Sequence, residues 1–249
     1  MAGTNKTSLI LQDRDLKLLE ALETLRAIDR EQAKLVGGFR STTRANTRLL
    51  ALTRAGFLRR AFLGNRQAVY WLASTNRQQA SQSELTRREP TSLYLRHRLE
   101  INKIHLLAKY RTIPVPGWWF VRWESFVRSL SPSLPLIPDG YFEMRSAAGV
   151  RPCFLEVDLG TEALPVIHRK VQLYLQLAAS GEFSTLFHQS QFRVLVVATS
   201  ARRVASLRQT IAGLTDKIFW LTTLESINQE RFWSAVWLRP TGDQMQPLI

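Results

Sequence analysis

The chain has 249 residues, of which 45% are hydrophobic and 22% charged, so it can form one large domain or two small ones. Its apolar runs fall far short of the ~20 residues of a membrane span, and its N-terminus lacks the apolar segment of a secretory signal. A single cysteine, Cys153, excludes an internal disulfide and a cysteine-rich zinc site. We therefore expect a soluble cytoplasmic protein with no membrane partner.

The basic residues are concentrated in one stretch of the chain. The formal net charge is +14, and residues 32–83 contain no acidic side chain. The same stretch holds nine basic residues, namely Lys34, Arg40, Arg44, Arg48, Arg54, Arg59, Arg60, Arg66 and Arg77. A solvated helix face normally alternates charges of both signs, whereas an excess of one sign is typical of a surface that binds a polyanion. We therefore predict a surface that binds double-stranded DNA.

The first eighty residues predict three helices and a hairpin. Leucines recur at helical spacing after Asp13, and a short second helix begins with Asp29 as its N-cap and ends at Gly37-Gly38. The segment "STTRANTRLLALTRAG" predicts a third helix, which Gly56 closes. Two apolar segments then flank Gly64-Asn65, a hairpin signal. This order of elements is that of a winged helix-turn-helix domain.

In such a domain the third helix enters the major groove and the hairpin forms the wing. On the third helix we expect five residues to face DNA: Thr43, Arg44, Asn46, Thr47 and Arg48. On the wing we expect three arginines to contact phosphates: Arg59, Arg60 and Arg66. The alternative is a small helical domain that contacts protein.

A polar segment without periodicity, residues 74–90, predicts a linker, and the pattern after Pro90 predicts a helix. His97 and His105 on this helix are eight residues apart, which is not the spacing of a metal pair, so we interpret them as surface or interface residues. The predicted division is a DNA-binding domain at residues 1–75, a linker and connecting helix at 76–110, and a second domain at 111–249.

The second half of the chain predicts a small mixed α/β sheet. Strands are expected in "GWWFVRWESF", "LIPDGYFEM" and "CFLEVDLG", and a helix with Pro165 in its first turn follows. The continuous apolar run "FRVLVVATS" is typical of a strand buried on both faces. A further helix and a closing strand, "DKIFWLTTLESI", complete the pattern. The predicted fold class is therefore α+β, with the winged helix-turn-helix followed by a mixed α/β domain.

Three acidic residues lie inside these predicted strands. Asp139 falls near the start of one strand, and Glu156 and Asp158 lie two apart on the next, so they share a face. Lys170 falls on the helix that follows. This setting resembles the core of PD-(D/E)XK nucleases, in which an Asp and a Glu on neighbouring strands bind Mg²⁺ and a lysine stabilises the attacking water. A divalent cation also relieves the repulsion between neighbouring carboxylates and activates water.

The resemblance implies Asp139, Glu156 and Asp158 as metal ligands and these three with Lys170 as catalytic residues. One position departs from the family pattern, because the lysine expected two residues after the Glu is Asp158 here, and Lys170 is the nearby replacement. The alternative is that the acids are structural, with Asp139-Gly140 in a turn and Asp158, Thr161 and Glu162 at a helix start.

The ordered set of phrases resembles the replication-relaxation family of plasmids and other mobile elements. The matching phrases are "LQDRDLKLLEAL", "LTRAGFLRR", "LRHRLEINKIHLLA", "LIPDGYFEM" and "FLEVDLGTEAL…HRKVQLYL". The resemblance implies a winged helix joined to a nuclease-like domain, and DNA binding connected with replication, relaxation or transfer. Its implied partners include a second copy of the chain or a protein of the mobile element. The alternative function is a non-catalytic regulator whose nuclease-like domain binds DNA or a protein.

Overall fold

The computed structural model describes residues 9–64, 66–73, 89–227 and 231–249. The chain divides into two compact units, residues 1–106 and 107–249. The predicted division at residues 75 and 110 differs from this one, because the helix after Pro90 packs into the first unit.

The first unit opens with three helices and a small sheet. The helices are α1 (Asp13–Leu25), α2 (Arg30–Val36) and α3 (Thr42–Arg54), and the strands are β1 (Ile28–Asp29), β2 (Leu58–Leu63) and β3 (Gln67–Leu72). The antiparallel strands have the order β1-β3-β2. Asn65 of the predicted turn lies outside the described residues. The order of three helices followed by a hairpin is the order that the sequence predicts for a winged helix-turn-helix.

The caps of these helices follow from local hydrogen bonds. Asp29 caps α2, since its Oδ1 accepts from Gln32 N at 2.9 Å. Ser41 caps α3, since its Oγ accepts from Arg44 N at 3.3 Å. Gly56 follows α3 with a φ of +81°, in the left-handed region that favours glycine. The N-cap predicted for α2 is therefore confirmed, and α3 begins within the segment predicted for it.

Helix α4 (Ser92–Tyr110) completes the core of the first unit. Its Leu95 and Leu99 are buried in a cluster with Ala27, Leu63, Val69 and Trp71. The buried Asn102 amide also donates to two backbone carbonyls, Leu25 O at 3.2 Å and Ala27 O at 2.5 Å. Most of the predicted linker before this helix, residues 74–88, lies outside the described residues.

One histidine of α4 differs from the prediction. His105 is buried, with 2% of its surface exposed, whereas His97 is half-buried. His105 is therefore not a surface residue, and its interpretation as an interface residue stays a prediction. His105 is buried because it lies among the buried apolar residues Ile101, Ile104 and Ala108 of the same helix.

The second unit is built on a five-stranded sheet. Its strands are β4 (Trp119–Glu124), β5 (Gly140–Ser146), β6 (Gly149–Asp158), β7 (Arg193–Ala198) and β8 (Phe219–Thr223), in that spatial order. The pairs β4–β5 and β5–β6 are antiparallel, and the pairs β6–β7 and β7–β8 are parallel. The mixed sheet confirms the predicted α+β fold class.

Helices α5 (Leu164–Ala179) and α6 (Glu182–Phe187) lie in the connection from β6 to β7, and α7 (Ala201–Ala212) lies in the connection from β7 to β8. Their buried residues pack with those of one sheet face, where Tyr141, Phe154 and Tyr174 meet the aromatic residues Phe183, Phe187 and Phe192. The sequence pattern did not indicate the short helix α6. Cys153 is fully buried, and burial raises the pKa of its thiol to about 12.

Candidate functional site

The register between β5 and β6 places the predicted acids side by side. Gly140 pairs with Leu155, so Asp139 comes opposite Glu156 where β5 begins. The Oδ2 atom of Asp139 accepts a hydrogen bond from Val157 N at 2.8 Å. The residue after Asp139 must be small, because a Cβ on Gly140 would lie 2.5 Å from Cζ2 of Trp123. The chain therefore holds Asp139 against the strand that carries Glu156.

Helix α5 supplies both hydrogen-bonding partners of Glu156. Lys170 Nζ forms an ion pair with one carboxylate oxygen, and the Tyr174 hydroxyl donates to the other. Lys170 and Tyr174 are one helical turn apart, so both point at the same strand position. The structure thus brings together Asp139, Glu156 and Lys170, which are far apart in sequence.

Burial sets the protonation of this group. The pKa of the Glu156 carboxyl is raised to about 7, because burial and the nearby Asp139 raise it by more than Lys170 and Tyr174 lower it. Burial alone would lower the pKa of Lys170, but the carboxylates of Glu156 and Asp139 more than offset that and raise it. Burial and Glu156 also raise the pKa of Tyr174. At neutral pH the lysine and the tyrosine keep their protons, and Glu156 is poised near its titration point.

Asp158 has a different set of partners. Its Oδ2 accepts from Arg203 Nη2 at 2.7 Å and Nε at 3.0 Å, and its Oδ1 accepts from Gly160 N at 2.5 Å. Arg203 lies in the first turn of α7, which Ser200 caps. Sequence reasoning missed Arg203. The signal that could have found it is its position: Arg203 follows the buried strand β7 by a few residues. Because β7 runs parallel to β6, the start of α7 lies near the end of β6, where Asp158 is.

Asp158 and Glu156 still line one small cavity. The cavity of about 30 Å³, room for about two water molecules, is bordered on its polar side by Glu156, Asp158, Glu162 and Lys170. In the described part of the chain, no three His, Cys, Asp or Glu side chains form a group that could hold a metal ion. The acids therefore do not form the three-ligand cluster that the sequence predicts. The Asp158 carboxylate is instead neutralised by an ion pair with Arg203.

One detail of the structural alternative is wrong, because Ala163, not Thr161, is the N-cap of α5. Asp139 directly precedes β5, which begins at Gly140. Pro165 lies in the first turn of α5, as predicted.

Helix α3 presents a basic and polar surface. Thr43, Arg44 and Thr47 are exposed, and Asn46 is half-buried, with its Oδ1 accepting from the Tyr70 hydroxyl at 3.3 Å. On the hairpin, Arg59, Arg60 and Arg66 are exposed. Within the residues that the structure describes, none of these four arginines has an ion-pair partner.

Arg48 departs from its predicted orientation. Its guanidinium forms an ion pair with the fully buried Asp15, with Nε 2.7 Å from Oδ1, and it also donates to Ile10 O at 2.6 Å. Burial of Asp15 acts to raise the pKa of its carboxyl, but the bonds from Arg48 and Gln12 lower it overall. Arg48 therefore joins α1 to α3, because an unpaired Asp15 would be a buried charge.

None of the described helices has the length and hydropathy needed to cross a membrane.

Comparisons with known proteins place the chain in a family. No curated protein shows a significant match to the sequence. Among solved structures, the restriction endonuclease FokI is similar at 14% identity with a TM-score of 0.34, over 90% of this chain and 45% of that chain. The model of the replication-relaxation family matches residues 14–187, well over half of the chain, and the protein therefore belongs to the replication-relaxation family.

Proposed function

We propose that this protein binds double-stranded DNA of a plasmid or another mobile element, and cleaves a phosphodiester bond with Mg²⁺ at the Asp139–Glu156–Lys170 site. The observation that carries the proposal is the ion pair of Lys170 with the buried Glu156, next to Asp139. A lysine delivered from the following helix supplies the positive charge that Asp158 cannot supply at the usual strand position.

DNA binding is assigned to the first unit. Its exposed arginines on α3 and the hairpin have no ion-pair partners among the described residues, so their charges are available to phosphates. Thr43, Arg44 and Thr47 stand on the exposed side of the helix that would enter the major groove, and Asn46 stands at its edge. Arg48 does not contact DNA in this proposal, because its guanidinium forms an ion pair with Asp15.

The second unit would supply the chemistry. Asp139 and Glu156 would hold the metal, because carboxylate oxygens are the ligands that Mg²⁺ prefers. Bound there, Mg²⁺ would lower the pKa of a water molecule and neutralise developing charge. Lys170 keeps its proton at neutral pH, since the acids raise its pKa, and would place that charge beside the phosphate. Tyr174 orients the Glu156 carboxylate, and Arg203 keeps Asp158 at the cavity edge.

A second candidate function is the non-catalytic regulator. The observation that favours it is that both Glu156 oxygens and both Asp158 oxygens already have partners from the chain itself. In that case the acids and their partners stabilise the fold, and the second unit only binds DNA or a protein. The two candidates differ in whether Mg²⁺ binds to the full chain.

The DNA part is tested by fluorescence anisotropy at several salt concentrations. Affinity should fall with a log–log slope of about −0.9 per phosphate neutralised. Arg44→Gln should weaken binding most for a preferred sequence, and Arg59→Gln with Arg60→Gln should weaken all sequences alike. An affinity that does not change with salt would contradict DNA binding by this surface.

The metal part is tested by calorimetric titration of the full chain with Mg²⁺. The wild type should bind one ion with release of a proton near pH 7, because Glu156 must be deprotonated to act as a ligand. Asp139→Asn and Glu156→Gln should abolish the signal, and Asp216→Asn, an exposed aspartate of the same unit, should leave it unchanged. Equal binding by all four proteins would place the ion elsewhere.

A further inference from the structure

Three arginines gather at another part of the second unit. Arg151 lies on β6 and Arg193 begins β7, and Cys153, two residues after Arg151, pairs with Arg193. Side chains alternate along strands, so Arg151 and Arg193 share one face of the sheet, and Glu156 lies on the other. Arg151 is also five residues from Glu156, about 17 Å along the strand. The third residue, Arg239, belongs to the C-terminal segment. The cluster is therefore separate from the acid–lysine site.

Two of the guanidinium groups converge on one acceptor. Arg151 Nη1 donates to Leu248 O at 2.8 Å, and Arg193 Nη1 donates to the same oxygen at 2.6 Å. Indole rings hold all three in place, since Arg151 Cζ lies 4.6 Å from the Trp118 ring centre. Arg193 Cζ and Arg239 Cζ lie 4.3 Å and 4.8 Å from the Trp220 ring centre. The arginines are thus fixed by stacking and by a neutral carbonyl.

No described carboxylate forms an ion pair with any of these three arginines, in contrast with Arg48, Arg122 and Arg203. Each guanidinium donates one hydrogen bond to the described protein, through Leu248 O or Asp216 O, and a guanidinium has five donors. Burial, together with repulsion from Arg151 and Arg239, lowers the pKa of Arg193 to about 10. Like charges gathered around one acceptor and one indole repel each other, and a bound anion would relieve that repulsion.

The indole of Trp220 supplies a second, independent observation. Trp220 is 6% exposed, and its Nε1 is buried without a hydrogen-bond acceptor among the described residues. A buried N–H without an acceptor is uncommon in native structures, and it marks a place where a bound molecule or water would complete the bonding.

We propose that Arg151 and Arg193 form a phosphate-binding site, framed by Trp118 and Trp220, that takes a phosphodiester group of a DNA strand. Two guanidinium forks suit a phosphodiester group, because arginine binds the oxygens of a phosphate through paired N–H donors. Arg239 brings a third charge to the same indole. The identity of the ligand as DNA rests on the proposed function, whereas the phosphate site itself does not.

The test is a titration of the full chain with inorganic phosphate at constant ionic strength, with chloride as the balancing salt. The readout is the indole N–H resonance of Trp220, assigned with Trp220→Phe. Phosphate should shift this resonance in the wild type, and Arg151→Gln or Arg193→Gln should weaken the response about tenfold or more. The matched control is Arg145→Gln, which removes an exposed arginine from the opposite face of the sheet and should respond like wild type.

A phosphate-independent Trp220 resonance, or the same response in wild type and both Gln variants, would overturn the site. If the Gln variants fail to fold, Arg193→Lys keeps the charge but loses the planar fork, and it should still weaken the response. The wild-type titration is decisive without any variant.

A duplex oligonucleotide distinguishes the two sources of phosphate. Reproduction of the phosphate-induced shift by the duplex, with competition between the two, supports a DNA strand as the ligand. A shift with phosphate alone would assign the site to a free phosphate compound and overturn the DNA assignment. Loss of Mg²⁺ binding at Glu156 would leave these results unchanged, so failure of this proposal and failure of the proposed cleavage are distinguishable.

Discussion

Replacement of Lys170 by Met tests the protonation of the buried site. In the wild type, the Glu156 carboxyl has a pKa of about 7, so it is ionised at pH 9 and largely neutral at pH 6. In the Lys170→Met variant the ammonium group is gone, so Glu156 takes up a proton instead of remaining a buried, unpaired carboxylate. That uptake costs about 1.36 kcal/mol for each pH unit above 7, so about 2.7 kcal/mol at pH 9. At pH 6 the same substitution removes almost no charge interaction.

The expected destabilisation by Lys170→Met therefore rises by about 2–3 kcal/mol between pH 6 and pH 9. Lys170 keeps its proton over this range in the wild type, because the acids raise its pKa. The assay is urea unfolding of both proteins at the two pH values. Lys217→Met is the control, because Lys217 is an exposed lysine of the same unit. A destabilisation that does not change with pH, or that is largest at pH 6, would refute this account of Glu156.

Two further substitutions test contacts that hold the proposed sites in place. Arg48→Met should destabilise the first unit by about 3 kcal/mol in urea unfolding, because it leaves Asp15 buried without its partner, whereas the exposed Arg44→Met should not. Equal stability of the two variants would contradict the structural role of Arg48. Gly140→Ala should cost about 1–3 kcal/mol, because its methyl group would collide with the Trp123 ring, and an unchanged melting temperature would argue against that packing.

Local patterns predict much of this fold, because they report on a few neighbouring residues at a time. Leucine spacing and caps locate α1 to α3, and the apolar run at residues 193–198 locates β7. The alternation along β6 also predicts that Glu156 and Asp158 share a face. These signals depend on residues close in sequence, so a single chain is enough to interpret them.

Pairings between distant residues are not accessible in the same way. Arg44 and Arg48 lie one helical turn apart, so the sequence predicts the same role for both, yet Arg48 forms an ion pair with Asp15, 33 residues earlier. Asp158 meets Arg203 only because β7 lies parallel to β6 and brings the start of α7 to the end of the strand. Charge and periodicity alone do not distinguish an arginine that faces DNA from one that neutralises a buried acid.

The most direct test of the central claim is cleavage of supercoiled plasmid DNA by the full chain with and without Mg²⁺. The account predicts nicked or linear product with Mg²⁺ and none with a chelator. Asp139→Asn and Glu156→Gln should give no product while they still bind DNA, because DNA binding is assigned to the first unit. Bound but uncut plasmid in the presence of Mg²⁺, for the wild type itself, would contradict cleavage and leave the regulator function in its place.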